Sequence, residues 1–105
     1  MSGAPDGCPP APVPHGALAR DLPIVNRKGL HARASAKFVQ TVERFDAEVT
    51  VTRCGETVGG RSIMGLLTLG AAKGTHITVT AEGREARACL DALQALLADR
   101  FGEGE

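Results

Sequence analysis

The residues best suited to chemistry stand together in one run, Gly29-Leu30-His31-Ala32-Arg33. A neutral histidine ring is a covalent nucleophile, and arginine offers planar donors that match the oxygens of a phosphate. At this run the hydropathy pattern changes to a helical period, with Ala34, Phe38, Val39, Val42 and Phe45 on one face. His31 is therefore expected at or beside a helix N-cap, where unpaired N–H groups and the positive end of the helix dipole receive anions. The same field disfavours imidazolium and leaves the ring nucleophilic. Ala32 and Arg33, in the first turn, are the candidate phosphate-binding residues. At this point two readings stand, a phosphoryl acceptor and a helix cap, although Asn, Asp, Ser and Thr are the preferred caps.

A second run, Gly59-Gly60-Arg61-Ser62-Ile63-Met64-Gly65-Leu66, opens another helix. Ser62 is a good N-cap, and it is also a candidate regulatory phosphorylation site, because a helix N-terminus tolerates phosphate. Ile63, Met64 and Leu67 cannot all face inward on so short a helix. An exposed apolar patch suggests a docking surface, and methionine adapts to several partners.

Other residues point away from further chemistry. His15 and His76 read as solvated side chains. The acidic residues are scattered, with no convergent carboxylate pair, no metal-ligand spacing and no phosphate-binding glycine motif. No metal or cofactor is expected. Cys8, Cys54 and Cys89 are widely spaced without C-x-x-C. Reduced thiols are expected, with Cys89 on a buried helix face.

Twelve basic and twelve acidic residues cancel, and there is no Trp or Tyr. The basic stripe and stacking platforms of a nucleic-acid binder are thus missing. There is no signal-peptide pattern, and no apolar run approaches the roughly 20 residues of a membrane span. A cytoplasmic monomer that works on its surface fits this composition, since so small a core leaves little room for a substrate cavity.

The elements that must position these residues follow from periodicity. Residues 1–20 hold five of the six prolines and read as a disordered tail. The domain is expected over 21–101, beginning with a strand at Leu22–Asn26 in which Pro23 implies a sheet edge. After the first helix, Glu48–Arg53 and Glu56–Val58 form a hairpin across Cys54-Gly55. Ser62 to Leu69 is a short helix, and Thr75–Ala81 is a strand. Ala86, Cys89, Leu90, Leu93, Leu96 and Leu97 form the face of a last helix. Residues 102–105 read as a frayed acidic end. The order βαββαβα gives an α+β two-layer domain and leaves the strand order open.

Gly29-Leu30-His31-Ala32-Arg33, Ser62-Ile63-Met64-Gly65-Leu66 and the following Ala72-Lys73-Gly74 resemble the HPr family, the histidine-containing phosphocarriers of the bacterial phosphotransferase system. The resemblance spans Leu22 to Phe101. It implies an open-faced β-sandwich, a four-stranded antiparallel sheet in the order 1-4-2-3 covered on one face by three helices. It implies phosphorylation of His31 on Nδ1 by Enzyme I, which draws on phosphoenolpyruvate, and transfer to an Enzyme IIA protein. Arg33 falls on the family's phosphate-contacting arginine, and Ser62 on the serine modified by an HPr kinase/phosphorylase. Ile63, Met64 and Leu67 fall on the shared partner surface. Ala34 stands where members usually carry proline. Arg33-Ala34-Ser35-Ala36-Lys37-Phe38 resembles members of the nitrogen and carbon control branch, which leaves a regulatory module switched at Ser62 as the alternative.

Overall fold

The structure, a computed structural model, describes residues 13–103. Strands β1 (Leu18–Pro23), β2 (Glu48–Arg53), β3 (Glu56–Gly59) and β4 (His76–Glu82) form one antiparallel sheet in the order β1-β4-β2-β3. Helices α1 (Ala32–Val42), α2 (Ile63–Thr68) and α3 (Ala86–Ala98) cover one face, and a 3-10 turn at Arg100–Gly102 closes the chain. This is the α+β open-faced β-sandwich and the strand order that the family resemblance implied.

Alternation places Val49 and Val51 of β2, and Ile77, Val79 and Ala81 of β4, beneath the helices. Phe38 and Val42 of α1, Leu66 of α2, and Cys89, Leu90 and Leu93 of α3 close the core from above, all fully buried. Each large apolar side chain removed from water contributes about 1.5–3 kcal/mol. Helix α1 stops at Val42 while Phe45, in the following turn, still packs on the core. The β2–β3 hairpin turns at Cys54-Gly55 with φ of 52° and 82°, the paired positive values that match strand twist.

Five expectations are corrected. The first strand runs from Leu18 to Pro23, not from Leu22 to Asn26, because β4 offers its ladder to Leu18–Pro23 from Ala81 down to His76. Leu22, Ile24 and Asn26 do alternate inward, but beyond Pro23 the chain is held by single bonds, such as Ile24 N–H to the Thr75 carbonyl at 2.9 Å. Residues 18–20 therefore belong to the sheet and not to a tail; residues 1–12 lie outside the described residues. At the other end Phe101 is buried and Glu103 is bonded, so 102–103 are not frayed; 104–105 lie outside the described residues. His76 is half-buried where a solvated side chain was expected. Cys54 is disulfide-bonded where a reduced thiol was expected, whereas Cys89 is free and buried.

Candidate functional site

The turn between β1 and α1 builds the site. Gly29 has φ +67°, and a Cβ there would lie 2.5 Å from the Ala71 carbonyl oxygen. Only glycine lets the turn press onto the 71–72 loop. Leu30 N–H donates to that same carbonyl at 2.9 Å, and the buried Leu30 side chain anchors the turn from below. His31 then adopts an extended conformation (φ −79°, ψ −177°) and caps α1. Its carbonyl accepts the first helical bond, from Ser35 N–H at 2.8 Å.

The imidazole curls back over the helix end. Nδ1 accepts a hydrogen bond from the Arg33 backbone N–H at 3.2 Å, so in this geometry Nδ1 carries no proton. About a quarter of the side chain (26%) is exposed, which leaves the ring neither sealed in the core nor turned from the first-turn amides. Ala32 and Arg33 are both exposed beside it. Ala34, buried at the third helical position, continues α1 without interruption.

On the opposite side of the ring, Nε2 lies 2.5 Å from Oε2 of Glu103. With Nδ1 an acceptor, Nε2–H is the donor and the carboxylate the acceptor. The other carboxylate oxygen, Oε1, accepts from Asn26 Nδ2 at 3.2 Å. The same amide nitrogen donates to the Gly29 carbonyl at 2.7 Å, and these two acceptors fix which way the Asn26 amide points. Asn26 is fully buried. The hydrogen bond from His31 holds the Glu103 carboxyl below the usual carboxylate range, and Asn26 and the Lys28 charge add to this against a smaller opposing effect of burial.

Glu103 reaches the ring because the chain doubles back after α3. Arg100 and Phe101 take positive φ values of 55° and 56°. Phe101 plugs into the core, and Lys37 of α1 donates to its carbonyl at 2.6 Å. Neither Asn26 nor Glu103 figured among the candidates read from sequence. A carboxylate 72 positions from its partner has no local signature, although the lone apolar Phe101 beyond the helical face was a signal that the end is tied down.

Ser62 occupies an equivalent place on α2. Its Oγ accepts from Gly65 N–H at 2.9 Å, and the residue is exposed. Ile63 and Met64 are exposed at 39% and 71%, Leu67 is half-buried, and Leu66 alone in that helix is fully buried. Helix α2 packs against α1, so the two helix ends belong to one side of the sheet. Among the described residues no group of three or more His, Cys, Asp or Glu side chains could hold a metal ion. None of the described helices is long and apolar enough to cross a membrane.

A one-sided sandwich with a histidine capping its first helix defines an HPr-type domain. Comparison with known proteins agrees: the family model described as "PTS HPr component phosphorylation site" matches residues 18–99. The phosphocarrier protein HPr of Cupriavidus necator is 47% identical over 88 residues, covering 84% of this chain and 99% of that protein. HPr of Neisseria meningitidis is 48% identical with the same coverage. Among solved structures, HPr-C-His from Thermoanaerobacter tengcongensis superposes with a TM-score of 0.80 at 35% identity, covering 84% of this chain and 99% of that chain. The chain belongs to the HPr family of phosphocarrier proteins of the phosphotransferase system.

Proposed function

We propose that His31 is the residue on which this chain carries phosphate. It accepts the phosphoryl group on Nδ1 from phosphorylated Enzyme I, itself charged by phosphoenolpyruvate, and hands it to an Enzyme IIA protein. The reading rests chiefly on the 3.2 Å contact between Nδ1 and the Arg33 backbone N–H. That contact aims the ring's lone pair at the positive end of α1, where incoming phosphate oxygens meet the first-turn amides of Ala32 and Arg33 and the Arg33 guanidinium. The Nδ1 lone pair forms the new bond to phosphorus, and the donor leaves with the electron pair of the bond that breaks. No metal or cofactor takes part. The site of action is the cytoplasm, and the carrier acts as a monomer.

Phosphoenolpyruvate with Enzyme I is expected to add one acid-labile, base-stable phosphate to His31, and His31→Ala to abolish it, as read by mass spectrometry. Phosphate on the variant at the normal rate would refute the assignment.

A second reading concerns Ser62, favoured by its exposed hydroxyl next to Ile63 and Met64. An HPr kinase/phosphorylase would place about −1.5 to −2 charges on the surface formed by Ile63, Met64 and Leu67 and weaken the approach of Enzyme I. In the alternative, the chain is purely a regulatory module switched at Ser62 in nitrogen and carbon control. His31→Ala would then leave its signalling intact and Ser62→Ala would remove it.

A further inference from the structure

The sheet has a second face, which the three helices leave open. Alternation turns Asp21 of β1, Thr78 and Thr80 of β4, Thr52 of β2 and Thr57 of β3 toward it. Register sets Asp21, Thr78, Thr52 and Thr57 in one row across all four strands. The hydroxyls are spent within that row: Thr78 Oγ1 donates to Asp21 Oδ1 at 2.6 Å, and the Thr52 and Thr57 hydroxyls share a bond of 2.8 Å. The threonine methyls remain to meet a cover. Thr52 and Thr80 are only 9% and 7% exposed, although α1, α2 and α3 all lie on the other side.

We propose that the chain's own residues 8–12 cover this face and are latched there by a disulfide between Cys8 and Cys54. Cysteine arithmetic supplies the partner. Cys54 is disulfide-bonded, Cys89 is free and buried, and Cys8 is the third and last cysteine of the chain. A turn supplies the direction. Ala17 N–H donates to the Pro14 carbonyl at 3.1 Å and Gly16 takes φ +88°, as the third residue of a type II turn requires. The chain before Pro14 therefore heads back along β1 toward Pro23. Pro23 pairs with His76, and the register of Thr52 with Thr78 brings the Cys54 turn to that same end.

Length closes the path. From the level of Leu18 on β1 to the Cys54 turn, two strands away, the diagonal over the sheet is about 20 Å. Residues 8–13 in polyproline II span about 16 Å, and a disulfide adds about 5–6 Å between its Cα atoms. Pro9, Pro10 and Pro12 favour that conformation. They also keep the segment from joining the free edge of β1 as a strand, since proline has no N–H to donate. Against a row of methyls, those missing donors cost nothing.

The bond forms when the Cys8 and Cys54 thiols each give up a proton and an electron. A small disulfide such as glutathione disulfide takes both pairs and leaves as two thiols; a dithiol reverses the step and becomes a cyclic disulfide. A cytosolic disulfide of this kind is transient or redox-sensing. Once reduced, so short a segment buries too little to offset its conformational entropy, and the face is uncovered.

The test uses the full chain, equilibrated with glutathione disulfide, alkylated without reduction and cut with trypsin. Mass spectrometry is expected to find the fragment ending at Arg20 linked through Cys8 to the fragment Cys54–Arg61, from protein of monomeric mass. Absence of that pair, or its confinement to dimers, would overturn the latch. In NMR of the oxidised chain, the methyls of Thr52, Thr78 and Thr80 are expected to show NOE contacts to proline protons of residues 9–12. Dithiothreitol and Cys8→Ser should each abolish these contacts and shift the three methyl signals alike, while the Leu90 methyls stay in place as a check on the fold. A linked pair whose reduction leaves the threonine methyls unmoved would overturn the cover.

Discussion

Two helix ends in this molecule use one backbone device for different ends. At α1 and at α2 an extended N-cap residue turns its side chain back to accept a first-turn N–H, His31 from Arg33 and Ser62 from Gly65. Ser62 is a cap chosen from the common set and stands exposed. His31 is an uncommon cap, half-buried, with a carboxylate brought from the far end of the chain to its second nitrogen. A helix amino end is thus only half of a phosphate site. On the proposal that His31 carries phosphate, the pinned, oriented ring is what separates it from Ser62, whose hydroxyl satisfies a backbone amide.

The contrast breaks most sharply at the turn that carries His31. Gly29→Ala would force a Cβ to 2.5 Å from the Ala71 carbonyl oxygen while holding alanine at φ +67°. Both backbones must separate, at a cost of about 2–3 kcal/mol, and His31 moves with them. Urea unfolding is expected to report that loss, and phosphorylation by Enzyme I is expected to fall with it. If the variant keeps wild-type stability and rate, the turn does not position the ring and the difference between the two helix ends lies elsewhere.

Much of this was legible before any coordinates. The helical period after Leu30, the alternation of Val49 and Val51, and the face of Cys89, Leu90, Leu93 and Leu97 each obey a local rule, and the structure buries these residues, Phe45 only partly. His31 and Ser62 were legible for the same reason, since a cap is defined by its immediate neighbours. What escaped depends on distant partners. Ala19, Arg20 and Asp21 have no strand-like hydropathy and become strand because β4 lies beside them. Glu103 looks like any terminal acid until Phe101 and Lys37 fold it back onto α1. Strand order too is a property of pairing between segments, and only the family resemblance supplied it.

The other half of the comparison is sharpened by Ser62→Ala. Loss of the Oγ bond to Gly65 N–H removes an N-cap, which costs about 1 kcal/mol. Stability should drop by that amount in urea unfolding while His31 still accepts phosphate at the wild-type rate. Ser62→Asp restores a capping oxygen and recovers the stability, yet its charge beside Ile63 and Met64 is expected to weaken the productive encounter with Enzyme I, raising KM with little change in kcat. A Ser62→Ala variant as impaired in phosphoryl uptake as His31→Ala would mean that the two helix ends share one function.

The smallest effect is in acid, where it isolates the carboxylate that the α2 end lacks. The Glu103 pKa is lowered in the folded protein, first by its hydrogen bond to His31. A group with a depressed folded pKa binds protons more readily when unfolded, so its contribution to stability is complete above the ordinary carboxylate pKa. It is lost as pH falls through that value and then through the lower folded one. The stability difference between wild type and Glu103→Gln, measured by urea unfolding, should therefore be largest near neutral pH and shrink as the pH falls below the ordinary carboxylate pKa. Because the main cause of the shift is the His31 bond, the same comparison made in a His31→Ala background should show a much flatter profile. A difference that stays constant with pH in the native background, or that shrinks equally in both, would mean that the Glu103 carboxylate is not held by the imidazole, and the asymmetry between the two helix ends would then rest on the choice of cap alone.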